Sequence, residues 1–298
     1  MERFDGLVGY PALARFEHLE RRGWLPRGWI DGFILSNDST DATNDIAISA
    51  GTCRSTSNIG PDGIRTTLAK YQADLEIPVA IIKQLDVAWA PENYEPENGI
   101  GSGSRSGMRS SSAISNTTWH IFAIGGFDCP TDIFAHDGVD PSAVLPNGYT
   151  AWRRIGSVIR SSGAILGFSQ SGDHFHLDVP LTDVSAANPG TSAVTRTLTV
   201  PTGVIVFPVM SVTVKDGTSN PNMGLITSLA QTDTAPTNTL YNFGSPAAAS
   251  TSNLCCATIV DVPTNTSAQV RSRLQATGAS DILLIVTHGW RDARGRDN

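Results

Sequence analysis

The stretch Ala268-Gln-Val-Arg-Ser-Arg-Leu274 alternates between two kinds of side chain. Successive side chains of a β-strand face opposite sides of the sheet, so Val270, Ser272 and Leu274 form one face and the two arginines form the other. Such alternation is typical of an antiparallel strand with one buried and one solvated face. This stretch predicts that the fold is built from half-buried antiparallel strands.

Short stretches with strand character continue along most of the chain, separated by turns rich in Gly, Pro, Asn and Thr. The connection Gln170-Ser-Gly-Asp173 predicts a hairpin, because a short Gly-containing link suits two antiparallel strands. We therefore expect an all-β fold with two antiparallel β domains of sandwich or jelly-roll type. The predicted strands are 33–35, 46–48, 118–124, 132–136, 149–159, 164–170, 174–179, 195–200, 204–215, 223–229, 254–262, 268–275 and 282–290.

Two stretches have helical spacing instead. Residues 11–22 lie between Pro11, which suits the first helical position, and Gly23, which suits the position after the last turn. Residues 79–89 place apolar side chains, among them Ile81 and Leu85, three or four residues apart. We predict a short N-terminal helix and one further helix near 79–89.

Charge and composition suggest a division into three parts. The chain has 298 residues and a net charge of −7, and residues 31–184 contain 18 acidic and 9 basic residues. The flanking parts are almost neutral, and residues 180–191 form a polar connector of small residues. The predicted parts are an anchor segment at 1–30, an acidic β domain with long loops at 31–184, and a β-sandwich domain at 185–298. Within the acidic domain, we expect residues 91–116 to form one long exposed loop.

The overall composition excludes several classes of protein. Charged residues make up only 16% of the chain and its pI is near 5.3, which argues against a nucleic-acid binder. No apolar run approaches the roughly 20 residues needed to span a bilayer. The start of the chain lacks the pattern of a secretory signal peptide, so we expect synthesis in the cytoplasm. The four cysteines form no Cys-x-x-Cys pair, and we expect free, buried thiols.

Large apolar side chains are concentrated near the N-terminus. A 12-residue helix with a narrow apolar stripe is too short to be stable alone, so it must dock on another surface. That surface is either the rest of the chain or a partner protein, and we favour the partner. The predicted anchor residues are Leu13, Phe16, Leu19, Trp24 and Trp29.

Catalytic signatures are missing from the sequence. It contains no Gly-x-Ser-x-Gly, His-Glu-x-x-His, Walker A or Gly-x-Gly-x-x-Gly motif, and we expect no catalytic residue and no cofactor. The weak metal candidates His174, His176 and Asp178 would face the same side of a strand. The alternative is a polar strand face at a domain or subunit surface, which we favour because nothing else in the sequence supplies a matched ligand.

The stretch Trp152-Arg153-Arg154 places an aromatic ring beside two cations. Such a group stacks on sugars, or it packs internally with the arginines against the tryptophan. We favour internal packing, and in the alternative the glycan-contact residues are Trp152, Arg153 and Arg154.

Several stretches between residues 33 and 203 are distinctive: Phe33-Ile-Leu-Ser-Asn-Asp38, Thr40-Asp-Ala-Thr-Asn-Asp-Ile-Ala-Ile48, Ile81-Ile-Lys-Gln-Leu-Asp-Val-Ala-Trp89, Ser115-Asn-Thr-Thr-Trp-His-Ile-Phe122, Gly148-Tyr-Thr-Ala-Trp-Arg-Arg-Ile-Gly-Ser157, Ile165-Leu-Gly-Phe-Ser-Gln-Ser-Gly-Asp173, Asn188-Pro-Gly-Thr-Ser-Ala193 and Arg196-Thr-Leu-Thr-Val-Pro-Thr-Gly203. Together they resemble recurrent segments of tailed-bacteriophage virion proteins, over about residues 30–205 and more loosely to the end. That resemblance implies a tail-fibre, head-fibre or other appendage protein. The family has no established catalytic motif that could be transferred to this chain.

The leading hypothesis is a non-enzymatic structural component of a tailed-phage virion, attached through its N-terminus and projecting its β domains. Its partners would be capsid, portal, neck or tail proteins and two further copies in a homotrimer, with host-surface glycans as an additional target. The first alternative is a carbohydrate-binding module. The second is a polysaccharide depolymerase, for which only Glu92, Glu95 and Glu97 supply candidate acid and base groups.

Overall fold

The computed structural model describes residues 28–56, 74–91, 105–126, 129–215, 222–245, 258–259, 261–278 and 281–296. Every helix or strand within those ranges is a β-strand, so the prediction of an all-β chain is confirmed there. The predicted helix at 11–22 lies outside the described residues. The strands, in chain order, are β1 (Ile30–Gly32), β2 (Leu35–Asn37), β3 (Asp45–Ile48), β4 (Gly51–Arg54), β5 (Asp74–Ile77), β6 (Ile81–Ala88), β7 (Arg105–Arg109), β8 (Thr118–Gly125), β9 (Asp132–His136), β10 (Ala151–Ser161), β11 (Ala164–Ile165), β12 (Phe168–Ser171), β13 (His174–Ala187), β14 (Val194–Thr197), β15 (Phe207–Lys215), β16 (Asn222–Thr227), β17 (Phe243–Ser245), β18 (Thr258–Ile259), β19 (Gln269–Leu274) and β20 (Ile282–Arg291).

The described strands form four sheets. The largest has eight strands in the order β11-β10-β8-β9-β7-β6-β3-β2, and a five-stranded sheet has the order β12-β13-β20-β15-β18. The two smaller sheets are β14-β19-β16-β17 and β1-β4-β5. Most neighbours are antiparallel, as predicted, but β7 is parallel to both β6 and β9. The eight-stranded sheet is therefore mixed.

The prediction of a helix at 79–89 is wrong, because Ile81–Ala88 forms strand β6. Ile81, Lys83 and Leu85 are buried, which is the period of two that a strand requires. Lys83 concealed this pattern in the sequence, since lysine is almost never fully buried unless it is paired. Here its Nζ lies 2.6 Å from Asp132 Oδ1, and both side chains are fully buried.

The stretch 91–116, predicted to be one long exposed loop, contains a strand. Residues 105–109 form β7 inside the eight-stranded sheet, and the Met108 side chain is fully buried. The close approach of β6 explains Gly107, because a Cβ there would collide with the carbonyl group of Ala88. The three glutamates considered as acid and base groups lie outside the described residues.

One hydrophobic cluster runs through the described molecule and includes residues from β1 to β20. Within it the rings of Phe175 and Trp290 stack at a centroid distance of 5.3 Å. Strand β8 is buried along its whole length, because its two faces contact two different hydrophobic clusters. The predicted boundary between residues 184 and 185 falls inside β13, which pairs with β20 along most of its length.

Other details agree with the sequence patterns. Strand β19 buries Val270, Ser272 and Leu274, as the alternation predicts. Strands β12 and β13 form the predicted hairpin. Cys53 is free and buried and Cys129 is free and half-buried, while Cys255 and Cys256 lie outside the described residues. None of the described residues belongs to a helix that is long and apolar enough to cross a membrane.

Candidate ligand-binding cleft

A cleft of about 760 Å³ opens between the first half of β10, the loop before β15 and the residues that follow β20. Three arginines and two aspartates contribute to its walls, together with two aromatic rings. The cleft is notable because its charged groups come from parts of the chain that are far apart in sequence. They are Arg153, Arg154, Asp173, Arg291 and Asp292, and the rings are those of Trp152 and Phe207.

Arg154 and Asp292 form a buried ion pair in the wall of the cleft. Arg154 Nη1 and Nη2 each donate to one carboxylate oxygen of Asp292 at 2.6 Å, which is the bidentate geometry of the strongest such pairs. Burial alone would raise the pKa of Asp292, but the charge and hydrogen bonds of Arg154 hold that pKa below its usual value. Asp292 is therefore fixed as a carboxylate and is unsuited to donating a proton.

Asp173 is held in the same way by two other arginines. It occupies the turn between β12 and β13, where its carboxylate accepts from Arg294 Nε at 3.1 Å and also pairs with Arg296. The backbone NH of Asp292 donates to the Asp173 carbonyl at 2.9 Å, which ties the turn to the end of β20. The carboxylates of Asp173 and Asp292 are thus both committed to arginines.

Arg153 differs from these arginines because it lacks a carboxylate partner among the described residues. Arg153 is 1% exposed, its Nη2 donates to the Gly28 carbonyl at 3.2 Å, and its buried Nε has no hydrogen-bond partner in the described ranges. Burial lowers the pKa of Arg153 to about 10, and the charges of Arg154, Arg296 and Arg294 add to this effect, while Cys53 opposes it. The cleft therefore contains a buried guanidinium for which the described residues supply no counter-charge.

The rim of the cleft combines aromatic, cationic and apolar groups. The Arg291 guanidinium lies 4.6 Å from the centroid of the Phe207 ring, in a cation–π contact. Arg291 also pairs with Asp261 at 3.4 Å, but both side chains are well exposed, so this pair is easily exchanged for another partner. Ile205 and Val139 are exposed beside them.

His120 lies behind the Arg154–Asp292 pair. Its Nδ1 is 2.8 Å from Ser157 Oγ, and Ser157 also accepts from Arg154 Nη1 at 3.0 Å. Burial lowers the pKa of His120 to about 3, with a further contribution from the nearby charge of Arg154. The imidazole is therefore neutral at physiological pH and connects β8 and β10 as a structural group.

We predict that His120 makes the protein acid-sensitive. The unfolded chain takes up a proton near the ordinary histidine value of about 6.5, whereas the folded chain does so only near pH 3. Stability from this group is complete above pH 6.5 and is lost as the pH falls toward 3, at about 1.4 kcal/mol per pH unit. Urea denaturation between pH 7 and 4 should show a steeper decline for the wild type than for His120→Gln. Parallel declines would contradict the assignment.

The candidate residues from the sequence have different positions. Trp152, Arg153 and Arg154 all line the cleft, with Trp152 half-buried and both arginines buried. Of the anchor residues, Trp29 is 41% exposed at the start of the described chain. The other four, Leu13, Phe16, Leu19 and Trp24, lie outside the described residues.

The weak metal candidates share one exposed face of β13, as the spacing predicts. The rings of His174 and His176 stack at a centroid distance of 6.1 Å, and Asp178 is exposed two residues further on. Across the described ranges, no group of three or more His, Cys, Asp or Glu side chains is arranged to hold a metal ion. All three side chains are exposed on this surface strand.

Sequence reasoning missed Asp173, Phe207, Arg291 and Asp292. The signal that could have indicated the last two is the stretch Arg291-Asp-Ala-Arg-Gly-Arg296, which contains four charged residues in a chain with few charges. Comparison of the chain with protein-family models, with curated proteins and with solved structures found no match.

Proposed function

We propose that the chain is a non-enzymatic structural component of a tailed-phage virion, a fibre or appendage made in the host cytoplasm. In this proposal the N-terminal segment binds a capsid, portal, neck or tail protein. The β body, arranged as sandwich or jelly-roll units, projects outward as a homotrimer. The support is the resemblance of residues 30–205 to virion proteins and the all-β construction of the described body.

The observation on which the proposal chiefly depends is the exposure of Trp29. This large apolar side chain is 41% exposed next to Ile30, which is buried and begins β1. Exposed aromatic residues are enriched in protein–protein contacts, and this one joins the proposed anchor to the body. Gly28 already belongs to the body, because its carbonyl accepts from Arg153 and a Cβ on it would collide with the Arg296 carbonyl.

The test is a chain that lacks residues 1–27 and keeps Gly28 and β1. We expect the truncated chain to fold and to be absent from phage particles produced by a genome that encodes it. Trp29→Ala in the full chain should reduce the copy number per particle, because it removes apolar surface from the proposed contact.

Val179→Ala is the matched control for Trp29→Ala, since Val179 is an apolar residue that is 70% exposed and lies on β13 rather than at the start of β1. It should leave the copy number unchanged. Incorporation of the truncated chain at full occupancy would contradict the proposed anchor.

A second candidate function is carbohydrate binding through the cleft, favoured by the placement of Trp152, Phe207 and three arginines in its walls. Aromatic side chains provide surfaces for sugar rings, and guanidinium groups provide planar donors for oxygen atoms. In a virion appendage, such a cleft would contact the host surface. The two functions are compatible.

A further inference from the structure

The charges around the cleft do not balance. Among the described residues, Asp292 forms an ion pair with Arg154, and Asp173 forms ion pairs with both Arg294 and Arg296. Within the part of the chain that the structure describes, the side chain of Arg153 has only the carbonyl group of Gly28 as a hydrogen-bond partner. Positive charge therefore exceeds negative charge in this region, in a protein whose net charge is −7.

Burying a charge without a partner is costly, and the cost is recovered when an oppositely charged group binds. A guanidinium has a planar array of donors that matches a carboxylate, and a single unpaired arginine matches a single negative charge. Arg291 adds a second cation at the rim, where its exposed pair with Asp261 can be exchanged. An anionic group entering the cleft would thus find a buried cation below it and an exposed cation at the rim.

The size and lining of the cleft indicate what carries that anionic group. A volume of about 760 Å³ far exceeds a single small ion and is within the range of small-molecule sites. Phe207 and Trp152 add aromatic surface, and the rim residues Ile205 and Val139 add apolar surface. An oligosaccharide with a carboxylate on one ring has both the anion and the apolar ring faces that this lining requires.

We propose that the cleft binds an acidic saccharide, with its carboxylate on Arg153 and Arg291 and its rings along the aromatic wall. This inference depends on the proposal that the cleft binds carbohydrate, and it specifies the class of sugar. Because the carboxylate is attracted by charge, affinity should fall as the salt concentration rises, and the exposed contact with Arg291 should be weakened most.

The test is isothermal titration calorimetry of the full chain with oligosaccharides of galacturonate, glucuronate and sialic acid, each paired with its neutral methyl ester. We expect at least one acid to bind about tenfold or more tightly than its ester, because the ester loses the charge-assisted hydrogen bonds. Equal affinity for acid and ester would overturn the acidic class and leave carbohydrate binding in place. If no member of the panel binds, both the acidic class of sugar and carbohydrate binding by the cleft are overturned.

Variants locate the site. Arg153→Gln should weaken binding of the acid about tenfold or more and leave the ester unaffected, and Arg153→Lys should recover part of the loss. Arg291→Gln provides a test that does not disturb the interior, because Arg291 is exposed. Arg273→Gln is the matched control. Arg273 lies on β19, outside the cleft, and pairs with Asp233. Equal effects of the Arg291 and Arg273 substitutions, with Arg153→Gln folded and binding normally, would overturn the proposal.

Discussion

Replacement of Asp292 by asparagine is expected to lower the free energy of unfolding by about 3–5 kcal/mol. The substitution keeps the size of the side chain but removes the charge that pairs with Arg154 at 2.6 Å. Asp292 is 1% exposed, so the Arg154 guanidinium would be left beside the cleft without its counter-charge and without water to replace it. Urea denaturation followed by tryptophan fluorescence measures the loss.

Asp261→Asn is the matched control, because it makes the same chemical change in an exposed pair with an arginine. Its effect should stay within about 1 kcal/mol, as is usual for surface ion pairs. If the two variants lose similar amounts of stability, the buried Arg154–Asp292 pair stabilises the fold no more than an exposed ion pair does.

Replacement of Lys83 by methionine is expected to cost a similar amount, about 3–5 kcal/mol, because it leaves the fully buried carboxylate of Asp132 without its cation. The double variant Lys83→Met with Asp132→Leu should recover most of the loss, since two apolar groups of similar size remove the buried charge altogether. A double-mutant cycle measured by urea denaturation separates the two contributions.

Lys215→Met serves as the control, because Lys215 is half-buried at the end of β15 and forms no ion pair within the described chain. Its effect should be small. A double variant no more stable than Lys83→Met alone would show that β6 and β9 are held by something other than this pair.

The features that were predicted correctly depend on neighbouring residues, whereas those that were missed depend on contacts between distant parts of the chain. The alternation at 268–274 and the hairpin at 170–173 were predictable, because each depends on neighbouring residues and a short turn. Strand β6 was mistaken for a helix because Lys83 looks polar in the sequence. Its burial depends on pairing with Asp132, a residue 49 positions further along the chain.

The cleft was only partly predictable for the same reason. The sequence shows that Trp152, Arg153 and Arg154 are neighbours. It does not show which residues surround them in the fold. Arg154 bonds Asp292 across 138 residues, and Arg153 bonds the carbonyl of Gly28 across 125 residues. Which arginine has a counter-charge, and which is left without one, depends on tertiary contacts that local spacing does not encode.

The most direct test of the proposed function is quantitative mass spectrometry of density-gradient-purified phage particles produced by a genome that encodes this chain. We expect the chain in the particles at a constant copy number, a multiple of three for a homotrimeric appendage. A chain that is abundant in the lysed host but missing from purified particles would contradict a structural role in the virion.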